Sequence, residues 1–236
     1  MKVAIQLAAN PRSFKRNYPY FKENLLVTLN PDVFIHTWNL KGKERPDVIT
    51  DGSCQEYIDL YKPKAWEIED LHYNYEPLMT MVPHFTSRYK ANQLRKKYQK
   101  ENHIKYDVII CHRADVRLLN PFKMEYANMV TEDSLWTHHF RKDVDGLGAP
   151  QINDYLFYTS PKWMDVIADC YHEIDKLHIY RPGSEKLMMY KLKKEGFNED
   201  WIHLFGDADD DILRPHLFEE GKARKSWHLF NIETIR

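Results

Sequence analysis

Apolar positions along the chain fall into short continuous runs separated by stretches of helical spacing. Lys2 to Ala8 (KVAIQLA) is an apolar run ending in Asn10-Pro11-Arg12-Ser13, the pattern of a buried strand that runs into a loop. Asn17 and Pro19 mark a helix start, and Phe21, Leu25 and Leu29 are spaced to share one face until Asn30-Pro31 stops it. Asp32 to Trp38 (DVFIHTW) is β-branched and aromatic, which predicts a second strand whose end presents His36 and Trp38. Asn39 to Tyr61 is polar and reads as irregular. Ala65 to Ile68 suggests a third strand, followed by a loop rich in Tyr, His and Pro that reaches Pro83.

The spacing predicts a helix over Thr86 to Glu101, with Phe85, Tyr89, Leu94 and Tyr98 inward and Arg95, Lys96, Lys97 and Lys100 on a solvated face. Tyr106 to His112 (YDVIICH) is apolar on both faces, as a strand of a helix-covered parallel sheet must be. Leu135 to His138 and Asn153 to Tyr158 predict further strands, with a Gly-containing loop, Asp143 to Pro150, between them. Lys162 to His178 predicts a helix, because Trp163, Ile167, Cys170, Ile174 and Leu177 recur at helical spacing. Ser184 caps another helix, which Gly196 ends. Alternating strands and helices predict a single α/β domain: a mixed, mostly parallel sheet flanked by helices, Rossmann-like in layout.

Composition narrows the picture. At 236 residues and 43% hydrophobic content the chain can bury one substantial core. Its net charge of -1 disfavours nucleic acid as a partner. Cys54, Cys111 and Cys170 have no paired spacing and are expected to be thiols in a reducing, cytoplasmic setting. Met1 to Ala9 is too short for a secretion signal, and no stretch reaches the ~20 apolar residues of a transmembrane segment.

Polar residues gather at the predicted strand ends: Asn10-Pro11-Arg12-Ser13, His36-Thr37-Trp38-Asn39 and His112-Arg113-Ala114-Asp115. Ligands of open α/β sheets bind beyond the carboxyl ends of the strands, so these segments are expected to converge on one crevice. There the Asp115 carboxylate is a hard oxygen ligand suited to Mg²⁺ or Mn²⁺, and Arg113 can grip a phosphate in two-pronged fashion. A purely structural Arg113–Asp115 ion pair fits the same spacing. The acidic stretch Gly206 to Asp211 lacks the turn Gly and distal Glu of a calcium loop and reads as solvated. The twelve histidines form no HExxH pattern.

The run Tyr106 to Val116 (YDVIICHRADV) resembles the aspartate-containing strand of GT-A type glycosyltransferases of bacterial polysaccharide and large DNA virus glycan synthesis. Val3 to Leu7 with Pro11-Arg12-Ser13, Asn30 to Trp38, Tyr89 to Asn92, and Asn153 to Phe157 match in the same order, covering most of the first 165 residues. The resemblance implies a GT-A-like fold, with a nucleotide-binding half over 1–120 and an acceptor half over 121–236. It implies a nucleoside-diphosphate sugar donor, uridine or guanosine based, and a glycan or glycoprotein acceptor. Asp115 is then the counterpart of the metal-binding aspartate of the DxD motif, holding Mn²⁺ or Mg²⁺, although Arg113 stands where a first Asp belongs. That departure also allows a metal-independent site in which Arg113 supplies the positive charge.

On the same footing the donor is expected against Ala8, Asn10, Pro11, Arg12, Trp38, Lys90, Asn92, Arg113 and Asp115. Lys90 would neutralise a phosphate and Asn92 would bond a sugar hydroxyl. Asp154 is the expected general base of an inverting transfer, with Glu185 as its substitute; an Asp that caps a turn is the structural alternative. His203 or His228 is a further candidate for the metal. A carbohydrate-binding protein on the same fold that has lost the chemistry is the competing expectation, motivated by Arg113 and the aromatic content. A nucleotidyltransferase would need a Gly-rich phosphate loop near the N-terminus, and Asn10-Pro11-Arg12-Ser13 contains no glycine.

Overall fold

The computed structural model describes residues 1–8, 10–39, 51–71, 81–138, 140–141, 151–176 and 184–204, with short backbone segments at 212–213, 218–219 and 222–223. The loop expected at 143–150, the acidic stretch 206–211, Leu177 and His228 lie outside the described residues.

Strand β1 (Val3–Ala8) is buried along its whole length. After it, Ser13 adopts a left-handed conformation (φ 50°) and starts helix α1 (Phe14–Phe21), three residues ahead of the predicted start, so that Pro19 lies inside the helix. Proline offers no N–H to the preceding turn, and the helix passes through a π-helical stretch, Lys22–Leu26, before α2 (Val27–Leu29). Asn30, at φ 44°, ends it as predicted. Strand β2 (Asp32–Asn39) follows.

Within the segment expected to be irregular, Cys54–Tyr61 forms helix α3. A capping box starts it: Ser53 Oγ accepts from Glu56 N–H, and the Glu56 carboxylate accepts from Ser53 N–H. Tyr57, Ile58 and Tyr61 bury its inner face. Strand β3 (Ala65–Asp70) leads to α4 (Met81–Glu101), five residues longer at its start than its apolar spacing indicates.

Strand β4 (Val108–His112) is wholly buried, and beyond β5 (Arg117–Leu118) and α5 (Met124–Asn128) come β6 (Leu135–Thr137), β7 (Phe140–Arg141) and β8 (Gln151–Ile152). Strand β9 (Leu156–Thr159) precedes α6 (Pro161–Ala168), which continues as a 3₁₀ helix, Asp169–Lys176. Helix α7 (Ser184–Lys194) and β10 (Ile202–Leu204) complete the main layers.

The fold is α/β, a seven-stranded sheet in the order β10-β6-β9-β4-β1-β2-β3 flanked by helices. β1 pairs in parallel with both β2 and β4, β2 with β3, and β6 with β10, whereas β9 runs antiparallel to β4 and β6. One face packs α1 and α3 through Phe14, Phe21, Leu25, Tyr57 and Tyr61 against Ile5, Leu7, Val33, Ile35 and Ile110. The other packs α4, α6 and α7 through Phe85, Trp163, Met164, Ile167, Met188 and Leu192 against Ala4, Phe34, Ile109 and Phe157. Each fully buried Ile, Leu or Phe contributes about 1.5–3 kcal/mol, so these two faces hold the layers together. The three cysteines are free thiols. Among the described residues, no helix is long and apolar enough to cross a membrane.

Candidate functional site

From β1 the chain moves outward to β2 and β3, then α4 carries it back to β4 on the opposite side of β1. The connections therefore diverge between β1 and β4, and at such a switch point a crevice opens at the carboxyl ends of the strands. The segments after β1 and β4 lie there side by side, since Leu7 is in register with His112 and Ala8 with His36. Helix α4 begins at that edge because it follows the end of β3. Because β9 is antiparallel to β4, its first residues also reach that edge, and His112 faces Leu156.

A buried polar cluster occupies this edge. Arg113 donates from Nε to Asp115 Oδ1 at 2.9 Å and from Nη2 to Oδ2 at 2.6 Å. Its other terminal nitrogen stands 3.9 Å from Asp154 Oδ2. Asp154 lies in the turn before β9, where the Asn153 side chain accepts from Tyr155 N–H. Asp154 Oδ2 accepts from Ser184 Oγ at 2.9 Å and is 3.5 Å from His84 Nε2. One turn after His84 on α4, Arg88 donates to the Asp154 carbonyl and lies over the Phe157 ring, 5.3 Å from its centre.

Among the described residues, Asp154 Oδ1, His84 Nε2 and Arg88 Nε are buried with no hydrogen-bond partner. Each such atom costs about 1–3 kcal/mol, and buried polar groups are otherwise almost always satisfied. One carboxylate oxygen and two neighbouring side-chain nitrogens are thus left with hydrogen-bonding capacity in one cluster.

The electrostatics separate the titrating groups. Burial pushes the Asp154 carboxyl up, but the Arg113 and Arg88 charges and the Ser184 hydrogen bond outweigh it and hold it below its ordinary range. Burial, then the neighbouring Arg88, pushes His84 far down, so its imidazole is neutral. Burial and the Asp154 charge push Glu185 up. Opposite shifts on neighbouring groups occur in acid–base sites and in structural ion-pair networks alike.

Asp115 is buried, 1% exposed, and does not stand in an open crevice as expected. Both its oxygens are engaged by Arg113, whose own charge fills the place of a cation. No group of three His, Cys, Asp or Glu side chains among the described residues is arranged to hold a metal ion. As arranged, these donors do not fit Mn²⁺ or Mg²⁺ at Asp115, since a hard cation needs several converging oxygens. His203 lies exposed on β10, stacked on Trp136 at 4.6 Å.

The other expected donor-binding residues fall in two groups. Ala8 ends β1 and Asn10, Pro11 and Arg12 follow it, while Asn17 of α1 donates to the Ala114 carbonyl in the turn after β4. Trp38 is buried at the end of β2 and donates from Nε1 to the Pro83 carbonyl. Lys90 and Asn92 lie further along α4. The Lys90 ammonium is held by Glu69 and Glu67 on β3. Asn92 is 1% exposed and accepts from Gln6 in mid-strand, while donating to Asp165. Because α4 runs away from the carboxyl edge, its first two turns reach the Asp154 cluster through His84 and Arg88, and Asn92 further along faces the core. Arg95, expected on the solvated face, is likewise buried and bonded to Asn92, Gln99 and Asp165.

Sequence reasoning missed His84, Arg88 and Ser184. The signal for the first two is their four-residue spacing on one helix; His84 lies ahead of the expected start at Thr86, whereas Arg88 lies within the expected helix. A separate chain links Ser87 Oγ to His36 Nδ1 at 3.0 Å and His36 Nε2 to Glu69 at 3.1 Å. It has the order of a hydrolase triad, but Ser87 is completely buried, and a nucleophile must be reachable. A cleft of about 300 Å³ between α4, α6 and α7 has its charges paired internally, Lys96 with Asp165 and Lys191 with Asp169 and Glu195. In comparisons with known proteins, the chain matches no protein-family model and no curated protein.

Proposed function

We propose that the protein is a glycosyltransferase that moves a sugar from a nucleoside-diphosphate sugar onto an acceptor hydroxyl, with inversion, Asp154 as general base and no divalent ion at Asp115. The observation that carries the reading is the trio of unpartnered buried atoms, Asp154 Oδ1, His84 Nε2 and Arg88 Nε, at the switch point of the sheet. Mixed donors and acceptors at close quarters suit the hydroxyls of a sugar. Asp154 Oδ1 is buried as the cluster stands, so transfer requires this edge to open; Oδ1 then takes the proton of the acceptor hydroxyl as that oxygen bonds to the anomeric carbon. The bond from that carbon to the diphosphate breaks, and its electron pair leaves with the phosphate oxygen. Arg88 and Arg113, which both flank Asp154 on the acceptor side, keep it ionised for that step.

The test incubates the purified protein with a panel of nucleoside-diphosphate sugars and glycan acceptors, with and without a chelator. Release of nucleoside diphosphate is expected, insensitive to the chelator and lowered about 10²–10⁴-fold in Asp154→Asn. Absence of release from every donor overturns transfer, and full activity of Asp154→Asn removes that residue from it.

The competing reading, a glycan-binding protein without chemistry, is favoured by one observation: Arg113 occupies both oxygens of the carboxylate that GT-A enzymes use. Calorimetry separates the two, because a binder takes up glycan but no nucleoside diphosphate.

A further inference from the structure

Ser184 Oγ stands between two carboxyl groups, 2.9 Å from Asp154 Oδ2 and 3.3 Å from Glu185 Oε2. A serine hydroxyl has one hydrogen to give. If it points to Asp154, at the shorter distance, the contact with Glu185 brings two oxygen lone pairs together unless Glu185 brings a hydrogen of its own. Two ionised carboxylates on one hydroxyl would also repel each other in this partly buried setting.

We infer that Glu185 is a protonated carboxylic acid at neutral pH that donates to Ser184 Oγ, so that the chain Glu185–Ser184–Asp154 holds Asp154 as the ionised carboxylate of the cluster. Burial and the Asp154 charge favour the same division of protons. The surrounding charges are consistent with it. From α4, Arg88 and His84 face Asp154; from the turn after β4, Arg113 does. On the elements that pack against the rest of α7, Asp169 and Glu173 are held by Lys191 and Lys194. Asp165 of α6 is held by Arg95 and Lys96. Arg88 and hydrogen bonds from Ser184 and the Glu185 backbone favour the ionised form of Glu185, but burial and the Asp154 charge outweigh them.

Glu185 is thus a positioning residue: its proton keeps the Ser184 hydrogen on Asp154 Oδ2 and leaves Oδ1 free. That role rests on Asp154 being the base in the proposed transfer, whereas the protonation does not, so the test is made on the free protein without substrate. Infrared spectroscopy at neutral pH is expected to show a protonated carboxyl band that is absent in Glu185→Gln and shifted in Ser184→Ala. With isotopically labelled glutamate the band moves in the wild type, which identifies its owner's residue type even if Glu185→Gln does not fold. A wild-type spectrum without the band, a band insensitive to the glutamate label, or one retained in Glu185→Gln overturns the inference.

A second readout follows from linkage. A carboxyl whose folded state keeps its proton longer than the unfolded chain makes stability fall as pH rises above the ordinary glutamate range. Glu185→Gln, which stays neutral, is expected to lose that slope; an unchanged slope counts against the proton on Glu185. Inactivity in sugar transfer with the band present leaves the inference standing and removes only the reading of Asp154 as a base.

Discussion

Arg113 grips Asp115 with two nearly parallel hydrogen bonds, 2.9 Å and 2.6 Å, across the turn that follows β4. Burial lowers the guanidinium's proton affinity, but the Asp115 and Asp154 carboxylates outweigh it, so Arg113 is charged at every accessible pH. A buried pair of this kind is worth little relative to an apolar pair, yet breaking it is expensive because one charge is left without its partner. Asp115→Ala is expected to lower stability by about 3–5 kcal/mol in urea denaturation. Arg113→Ala combined with Asp115→Ala should cost less than the two single changes added together.

Arg95 makes the same argument on the far side of the sheet. It is 1% exposed and held by Asn92, Gln99 and Asp165. Arg95→Ala is expected to cost about 3–5 kcal/mol, whereas Lys97→Ala on the exposed face should stay within about 0.5 kcal/mol. Equal losses for both would show that Arg95 is solvated.

His112 at the end of β4 predicts a pH dependence. Burial, opposed by the Asp115 charge, lowers it to about 4, and neither ring nitrogen has a hydrogen-bond partner among the described residues. The unfolded chain takes up that proton at about 6.5, so between about 6.5 and 4 it binds more protons than the folded protein. Stability is therefore full above pH 6.5 and falls as pH drops through that window, by up to about 3 kcal/mol at about 1.4 kcal/mol per unit. His84 adds loss of the same sign. His112→Leu is expected to flatten part of the slope in urea titrations run from pH 7 to pH 4.

The Ser87–His36–Glu69 chain is expected to be structural. Ser87→Ala should lower stability by about 1–3 kcal/mol, since it leaves the buried His36 Nδ1 unpaired. Mass spectrometry should find no label on Ser87 after treatment of the native protein with a serine-directed phosphonate. Labelling there would mean that the site opens and would revive a hydrolase.

Where the sequence carried a local signal, the elements could be read from it. The runs that became β1, β2 and β4 are apolar without interruption because both faces of a parallel sheet are covered, and Asn30 stopped its helix as its left-handed backbone requires. Helix α3 was equally legible in principle, since Ser53 and Glu56 have capping-box spacing, but its polar surroundings hid it. The early start of α4 was not legible from apolar spacing, because its first five residues, Met81 to Phe85, include Pro83 and His84 and follow a loop-like stretch rich in Tyr, His and Pro. Lys90 and Asn92 rest on the resemblance of Tyr89 to Asn92, whereas the residues of this helix that reach Asp154 are His84 and Arg88.

By itself the sequence determined the α/β class, the covered parallel strands and the gathering of polar residues at their carboxyl ends. These follow from periodicity, and periodicity records which side of each element loses water. The tertiary structure alone decided which polar groups are partnered. Arg88 finds Asp154 66 residues away and Asn92 finds Gln6 at a distance of 86, and no local pattern encodes such pairings. The sequence marked Asp115 and Asp154 equally as carboxylates at strand ends. Packing gave one to Arg113 and left the other with an oxygen free, because only the folded chain brings the competing donors within reach.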